Sequence, residues 1–268
     1  MKENAKNESS DLTPGQIVGS FSAVIILILL TQIRVCAQII NVENSRIHTD
    51  TVGWAGELGA GVSFTKNTQE VFLAQMNVHL QYKTQKDLFL ILGNYGFLSG
   101  DAVNLINNSF LHLRYNRKLN DFLRIEAFAQ ILQNPVTLID YRILTGAGPR
   151  FKLSGNKKFK LYAATLVMYE YERELDSTKT IHNDIRSSSY VSFSLLFNSQ
   201  TELVNTLFYQ PLFTSISDFR ILDQMKFSVK TGKKFAISLN LNYLYDNFPV
   251  LSVPRINYTF STGIDYKF

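Results

Sequence analysis

The sequence predicts an all-β fold, a transmembrane antiparallel up-and-down β-barrel of twelve strands. Three observations lead there. Apolar and polar residues alternate with period two over long runs. Tight and longer connections alternate along the chain. An apolar segment near the N-terminus is followed by small residues at the spacing of an export signal.

From Phe72, the residues Ala74, Met76, Val78, Leu80 and Tyr82 share a face opposed by Leu73, Gln75, Asn77, His79, Gln81 and Lys83. A soluble strand runs to about 5–6 residues. A tilted strand crossing a membrane needs about 9–11. This run is of the longer kind. The pattern returns at Leu123–Ile131, with Arg124, Glu126 and Gln130 on the polar side, and at Tyr141–Phe151, with Arg142 and Arg150. Phe159–Tyr171 alternates with Lys160, Glu170 and Glu172, and Phe235–Tyr245 with Ser238, Asn240 and Asn242. The last run is Tyr258, Phe260, Thr262, Ile264, Tyr266 and Phe268. Twelve strands are placed in all, centred near Gly59, Val78, Ile91, Leu113, Ala127, Ala147, Thr165, Phe193, Thr206, Met225, Leu239 and Thr262.

Tight turns are expected at 83–87, 117–121, 154–157, 198–200 and 231–233, with longer loops at 98–108, 132–138, 173–184, 210–217 and 246–254; the first external loop, 65–69, is the short exception. Outer-membrane barrels have short periplasmic turns and longer external loops. A sheet facing lipid must also close, because unpaired backbone groups there are costly. A soluble barrel or sandwich with its apolar face inward is the competing reading, and the long strands and the export signal weigh against it.

The expected organisation is a signal peptide over 1–37, a periplasmic segment over 38–52 and the barrel over 53–268. The apolar run Ala23–Leu30 is short for a bilayer span. Val35 and Ala37 place cleavage after Ala37. A retained anchor and lipidation of Cys36 stand as alternatives; Val35 is not the small residue a lipidation signal wants before its cysteine. Cys36 is the only cysteine, so the exported chain would hold neither a disulfide nor a thiolate metal site. The net charge of +5 is mild and suggests no nucleic-acid partner.

No catalytic constellation is legible, and neither an enzyme nor a cofactor is expected. The nucleophile elbow G-x-S-x-G is missing; Gly61-Val62-Ser63-Phe64-Thr65 lacks its second glycine. His79 and His112 lack the partners of a triad. His182 falls in an expected external loop beside Asp184, without metal-ligand spacing.

What the sequence does offer is a charged inward phase. It carries Glu57, Arg114, Arg124, Glu126, Asp140, Arg142, Arg150, Lys152, Lys160, Glu170 and Glu172. Mutual pairing would fill the lumen, as in a plugged structural barrel. Incomplete pairing would leave a narrow path whose arginines favour anionic small solutes. An envelope enzyme is the weakest reading.

Several segments resemble a bacterial salt-induced outer-membrane protein family, catalogued as a domain of unknown function. They are Gly53-Trp54-Ala55-Gly56, Thr65-Lys66-Asn67-Thr68, Arg114-Tyr115-Asn116, Gly146-Ala147-Gly148-Pro149-Arg150-Phe151, Leu161–Ala164 leading to Tyr169–Glu172, and Tyr266-Lys267-Phe268. Lys66 departs from the glycine common in the family's turn. The resemblance implies an outer-membrane barrel in contact with lipid and brings no substrate. Tyr266 and Phe268 resemble the C-terminal aromatic signal that the barrel assembly machinery reads.

Overall fold

The computed structural model describes residues 52–66, 70–100, 103–156, 158–175, 178–232 and 235–266. The expected signal 1–37, the segment 38–51 and the terminal Phe268 lie outside the described residues. The strands are β1 (Gly53–Lys66), β2 (Glu70–Lys83), β3 (Asp87–Gly100), β4 (Val103–Lys118), β5 (Leu123–Asn134) and β6 (Ile139–Gly155), then β7 (Phe159–Glu174), β8 (Ile181–Leu196), β9 (Thr201–Leu212), β10 (Ser215–Lys230), β11 (Phe235–Asp246) and β12 (Ile256–Tyr266). They form one up-and-down sheet in sequence order, and each neighbouring pair is antiparallel. Each of the twelve expected centres falls inside one strand.

The sheet curls round its polar face. Adjacent strands lie about 4.8 Å apart, so strands three places apart in a flat sheet would be roughly 14 Å apart. Yet Tyr190 of β8 bonds Glu126 of β5 at 3.0 Å, and Arg220 of β10 meets Glu170 of β7 at 2.5 Å. The described ladder starts at β1 and ends at β12, and no β1–β12 pairing is among the described residues. Both edge strands leave outward apolar side chains widely exposed, Trp54 and Tyr258 each at 73%.

The inward and outward phases are those of the sequence pattern. On β11, Ile237 and Leu239 face out while Ala236 and Ser238 are buried; on β4, Leu111 and Leu113 face out while His112 and Arg114 are buried. Strand β3, apolar on both sides, turns Leu90 and Leu92 inward and Phe89 outward.

The outward aromatics form two rows. At the end with the short turns, Trp54, Tyr82, Phe89 and Tyr115 stand side by side with centroids 4.9, 6.5 and 4.9 Å apart. Phe122–Phe151, Phe159–Phe193 and Phe197–Phe227 continue that row. At the opposite end lie Phe72–Phe97 and the trio Tyr209, Phe219 and Tyr245.

The expected loop lengths need correction. Segments 98–108 and 210–217 continue the strands: Leu98 pairs with Ile106, and Pro211 with Phe219. Strand β7 reaches Glu174 and β8 starts at Ile181, so His182 lies on a strand, opposite Glu172. A backbone ladder does not depend on side-chain polarity, so it runs on past the apolar band. The connection 135–138 holds a short 3₁₀ turn, in which the Asn134 side chain accepts from the Val136 N–H. The connection 247–255 is the longest.

The Gly146–Arg150 motif has a packing explanation. A Cβ on Gly146 would lie 2.7 Å from the Phe128 ring, which fills the space over that glycine. A Cβ on Gly148 would lie 2.2 Å from the Thr165 carbonyl oxygen, so the β7 backbone closes on β6 there. Pro149 pairs with Ile125 on β5 but has no bridge to β7, where its missing N–H costs nothing. Gly148→Ala should destabilise the fold by about 1–3 kcal/mol, the range for overpacking. Gly61→Ala, in open space on β1, should leave the denaturant midpoint unchanged. Equal midpoints for the two variants would contradict the close approach.

Candidate functional site

The curled sheet brings two carboxylates of the inward phase to the centres of separate networks. Glu170 on β7 has Arg142 Nε of β6 at 3.1 Å, Arg186 Nε of β8 at 2.7 Å and Arg220 Nη1 of β10 at 2.5 Å. Its side chain is 1% exposed. Glu172, one repeat further along β7, pairs with Arg142 and lies 3.5 Å from Arg220. Arg220 Nε also donates to Asp246 on β11 at 2.8 Å. Arg186 divides its remaining nitrogens between Asp218 at 2.8 Å and Asp184 at 3.3 Å. Each guanidinium is thus shared among several carboxylates, the arrangement that offsets the cost of burying ions.

Nearer the short turns, Glu126 on β5 takes Arg114 Nη1 at 2.9 Å and the Tyr190 hydroxyl at 3.0 Å, with Arg150 Nη1 at 3.7 Å. Arg114 Nε donates to His112 Nε2 at 3.2 Å. That bond assigns the imidazole proton to Nδ1, which donates to Gln130 at 3.0 Å. His112 is therefore held as a neutral imidazole between Arg114 and Gln130. Below this network Arg124 and Arg150 face each other across β5 and β6, and both guanidiniums lie over the Tyr162 ring, at 5.4 and 4.1 Å. Lys152 folds over Gly155, whose strand partner is Lys160.

An apolar cluster lies between the networks, flanked by the buried polar pair Ser188 and Gln210. Ala164, Leu166, Tyr190, Phe208, Leu222 and Leu244 form a buried cluster with Phe128 packed against it. The cavity beside it, bounded by His112, Glu126, Met168 and Gln210, holds about 20 Å³. One water needs about 10–15 Å³, so a solute does not fit.

Above the Glu170 network a cup of about 270 Å³ opens at the end with the longer connections. Its floor is Arg142, Arg186 and Arg220, and its walls include Glu174, Asp184, Asp218 and Asp246. Phe248, Pro249 and Val250 of the 247–255 connection make an apolar side. His182 meets Glu174 at 2.8 Å on the rim. Among the described residues no group of three or more His, Cys, Asp or Glu side chains is arranged to hold a metal ion.

The expected lumen charges thus fall into three groups. Arg142, Glu170 and Glu172 join the upper network. Arg114, Glu126 and Arg150 join the lower one, and Arg124, Lys152 and Lys160 line the interior below it. Asp140 leaves the interior: a register shift between Ile139 and Tyr141 turns Ile139 inward, and Asp140 pairs with Arg173 Nη2 at 2.6 Å, over the outward Tyr141. Glu57 stands opposite His79 on the β1–β2 ladder. Tyr266 ends β12, opposite Phe235.

Sequence reasoning missed Arg186, Tyr190, Arg220 and Asp246. Ser187, Ser188 and Ser189 blur the two faces of β8, and Ile221 beside Leu222 blurs those of β10. The usable signal was the spacing Arg186, Ser188, Tyr190, Ser192 against Ile185 and Val191.

Such a molecule is an antiparallel meander with an apolar outside and an ion-paired inside, the class of the β-barrels. The chain belongs to the family described as "Protein of unknown function, DUF481", whose model matches residues 54–268. No curated protein matches it. It is similar to the solved NanC porin at 11% identity and a TM-score of 0.47, over 79% of this chain and 98% of that one. It is also similar to the translocator domain of the autotransporter NalP from Neisseria meningitidis, at 10% identity and 0.49, over 96% and 100%. The KdgM porin in complex with disordered oligogalacturonate aligns at 10% identity and 0.41, over 78% and 99%.

Replacing Glu170 by Gln would leave three buried guanidiniums around a neutral amide. Breaking a buried pair costs about 3–5 kcal/mol. Glu170→Gln should therefore lower the denaturant midpoint strongly, and Asp121→Asn, in the exposed pair with Lys118, should not move it. An unshifted Glu170→Gln would mean that the arginines do not depend on this carboxylate.

Proposed function

We propose that this chain is an outer-membrane β-barrel with a filled lumen, a closed envelope barrel and neither an enzyme nor a cofactor carrier. The reading rests on one observation, the sorting of side chains between outside and inside. Outside, an aliphatic band is bounded by two aromatic rows. Phe72 and Tyr82 of β2 stand in opposite rows, ten residues apart. At about 3.3 Å per residue and a tilt of about 40°, that is a band roughly 25 Å tall, the height of an outer-membrane barrel's apolar belt. Inside, carboxylates and guanidiniums pair in the Glu170 and Glu126 networks, and an apolar cluster packs between them.

In lipid the edges β1 and β12 pair with each other, because unpaired edge groups are costly there. The short turns face the periplasm and the cup faces outward. A salt-stress role, implied by the sequence resemblance, fits a barrel whose ion pairs are buried and so little screened. A second reading, gated passage of a small solute, is favoured by the cup, which brings solvent to the top of the Glu170 network.

In planar bilayers the wild type should be silent. A steady conductance in the unmodified protein would favour the passage reading. Leu239, at 37% exposure, faces lipid, and its neighbour Asn240 faces in. An outward Arg at mid-bilayer costs about 2–4 kcal/mol. Leu239→Arg should impair folding into vesicles far more than Asn240→Arg, and the reverse order would overturn the assignment of faces.

A further inference from the structure

One outward carboxyl group breaks the apolar belt. Asp223 lies on the outward phase of β10, between the buried Leu222 and Gln224. It is four residues from Phe219 of one aromatic row and four from Phe227 of the other. Among the described residues no other Asp, Glu, Lys or Arg occupies the outward phase between the rows. Asn205 of β9 donates to its Oδ1 at 2.6 Å. Hydroxyl groups stand beside this pair on the same face. Thr165 of β7 bonds Ser189 of β8 at 2.9 Å, and Ser189 bonds Ser187 at 2.9 Å. The registers Val191↔Leu207 and Leu207↔Asp223 align Asp223 with a position one side-chain repeat from Ser189.

A carboxyl group at mid-depth is costly against hydrocarbon, and ionisable groups at that depth normally face protein or water. Asn205 supplies one bond, while a carboxylate accepts several. The face therefore holds an under-supplied acceptor next to a cluster of hydroxyl donors. A two-fold axis along the bilayer normal, passing between them, would bring each copy's Asp223 to the other copy's Ser187, Ser189 and Thr165. Two-fold interfaces are self-complementary in this way.

We propose that the outward face of β7–β10 is an interface with a second copy of this chain in the membrane, centred on Asp223. This rests on the outer-membrane reading. Polar contacts between spans, not hydrophobic burial, hold such an interface, since lipid already satisfies the apolar side chains.

The test uses the full chain folded into lipid vesicles, with subunits counted by single-molecule photobleaching over a range of protein-to-lipid ratios. Wild type should dimerise. Asp223→Leu should weaken dimerisation by roughly tenfold or more and still fold, since leucine suits the belt. Ser187→Ala with Ser189→Ala removes the donors without touching Asp223 and should also weaken it, which covers the case of a misfolded Asp223→Leu. A wild type that inserts but stays monomeric, or hydroxyl-free and Asp223→Leu variants that dimerise unchanged, would overturn the interface. A wild type that does not insert would overturn the membrane reading itself.

Discussion

A single buried carboxylate, Glu170, has to satisfy guanidiniums from β6, β8 and β10 at once. Strands that far apart cannot meet at one atom group unless the sheet curls, so the network and the curvature require each other. The same three arginines are the floor of the outer cup and the ceiling of the apolar waist. Their other nitrogens reach Asp184, Asp218 and Asp246, which fixes the walls of the cup as well. A charge buried without compensation costs several kcal/mol, and so each member constrains the rest.

The interior is split by sign along its axis. Above the waist, six carboxylates (Glu170, Glu172, Glu174, Asp184, Asp218, Asp246) face three guanidiniums. Below it Arg114, Arg124, Arg150, Lys152 and Lys160 outnumber Glu126 and Glu202. Arg142 and Arg150, paired in the sequence argument as inward cations of one path, sit on opposite sides of this divide. Arg142 meets Glu170 and Glu172, while Arg150 lies 3.7 Å from Glu126, which it shares with Arg114. Tyr190 belongs to both parts, with its ring in the apolar cluster and its hydroxyl on Glu126. It links the apolar cluster to the lower network.

The sequence told the phase of most strands, because period two is a local property that needs no partner. Leu239 outward and Asn240 inward, or Ile125 outward and Glu126 inward, follow from alternation alone. It could not tell which inward charges meet, because Glu170 and Arg220 are fifty residues apart and their meeting is set by curvature. Nor could it see the slip at Ile139 that takes Asp140 out of the interior. A register shift leaves alternation on each side intact. The longer loops expected at 98–108 and 210–217 are short, because the backbone ladder continues through them whatever side chains it carries. Asp223 is hard to place from the sequence because Ile221 and Leu222 on one side and Gln224, Met225 and Lys226 on the other leave the alternation of β10 ambiguous around it.

The closed waist is the claim on which the functional reading turns. Leu222 sits in it at 2% exposure, while Asn257 stands on the wall of the cup. The direct measurement is the labelling rate of a membrane-impermeant charged thiol reagent at Leu222→Cys and at Asn257→Cys. Both are made in a chain with Cys36→Ser and compared folded in vesicles and unfolded in urea. Asn257→Cys should label rapidly in both states, and Leu222→Cys only when unfolded. Labelling of folded Leu222→Cys as fast as Asn257→Cys would mean an open lumen and would contradict the closed waist.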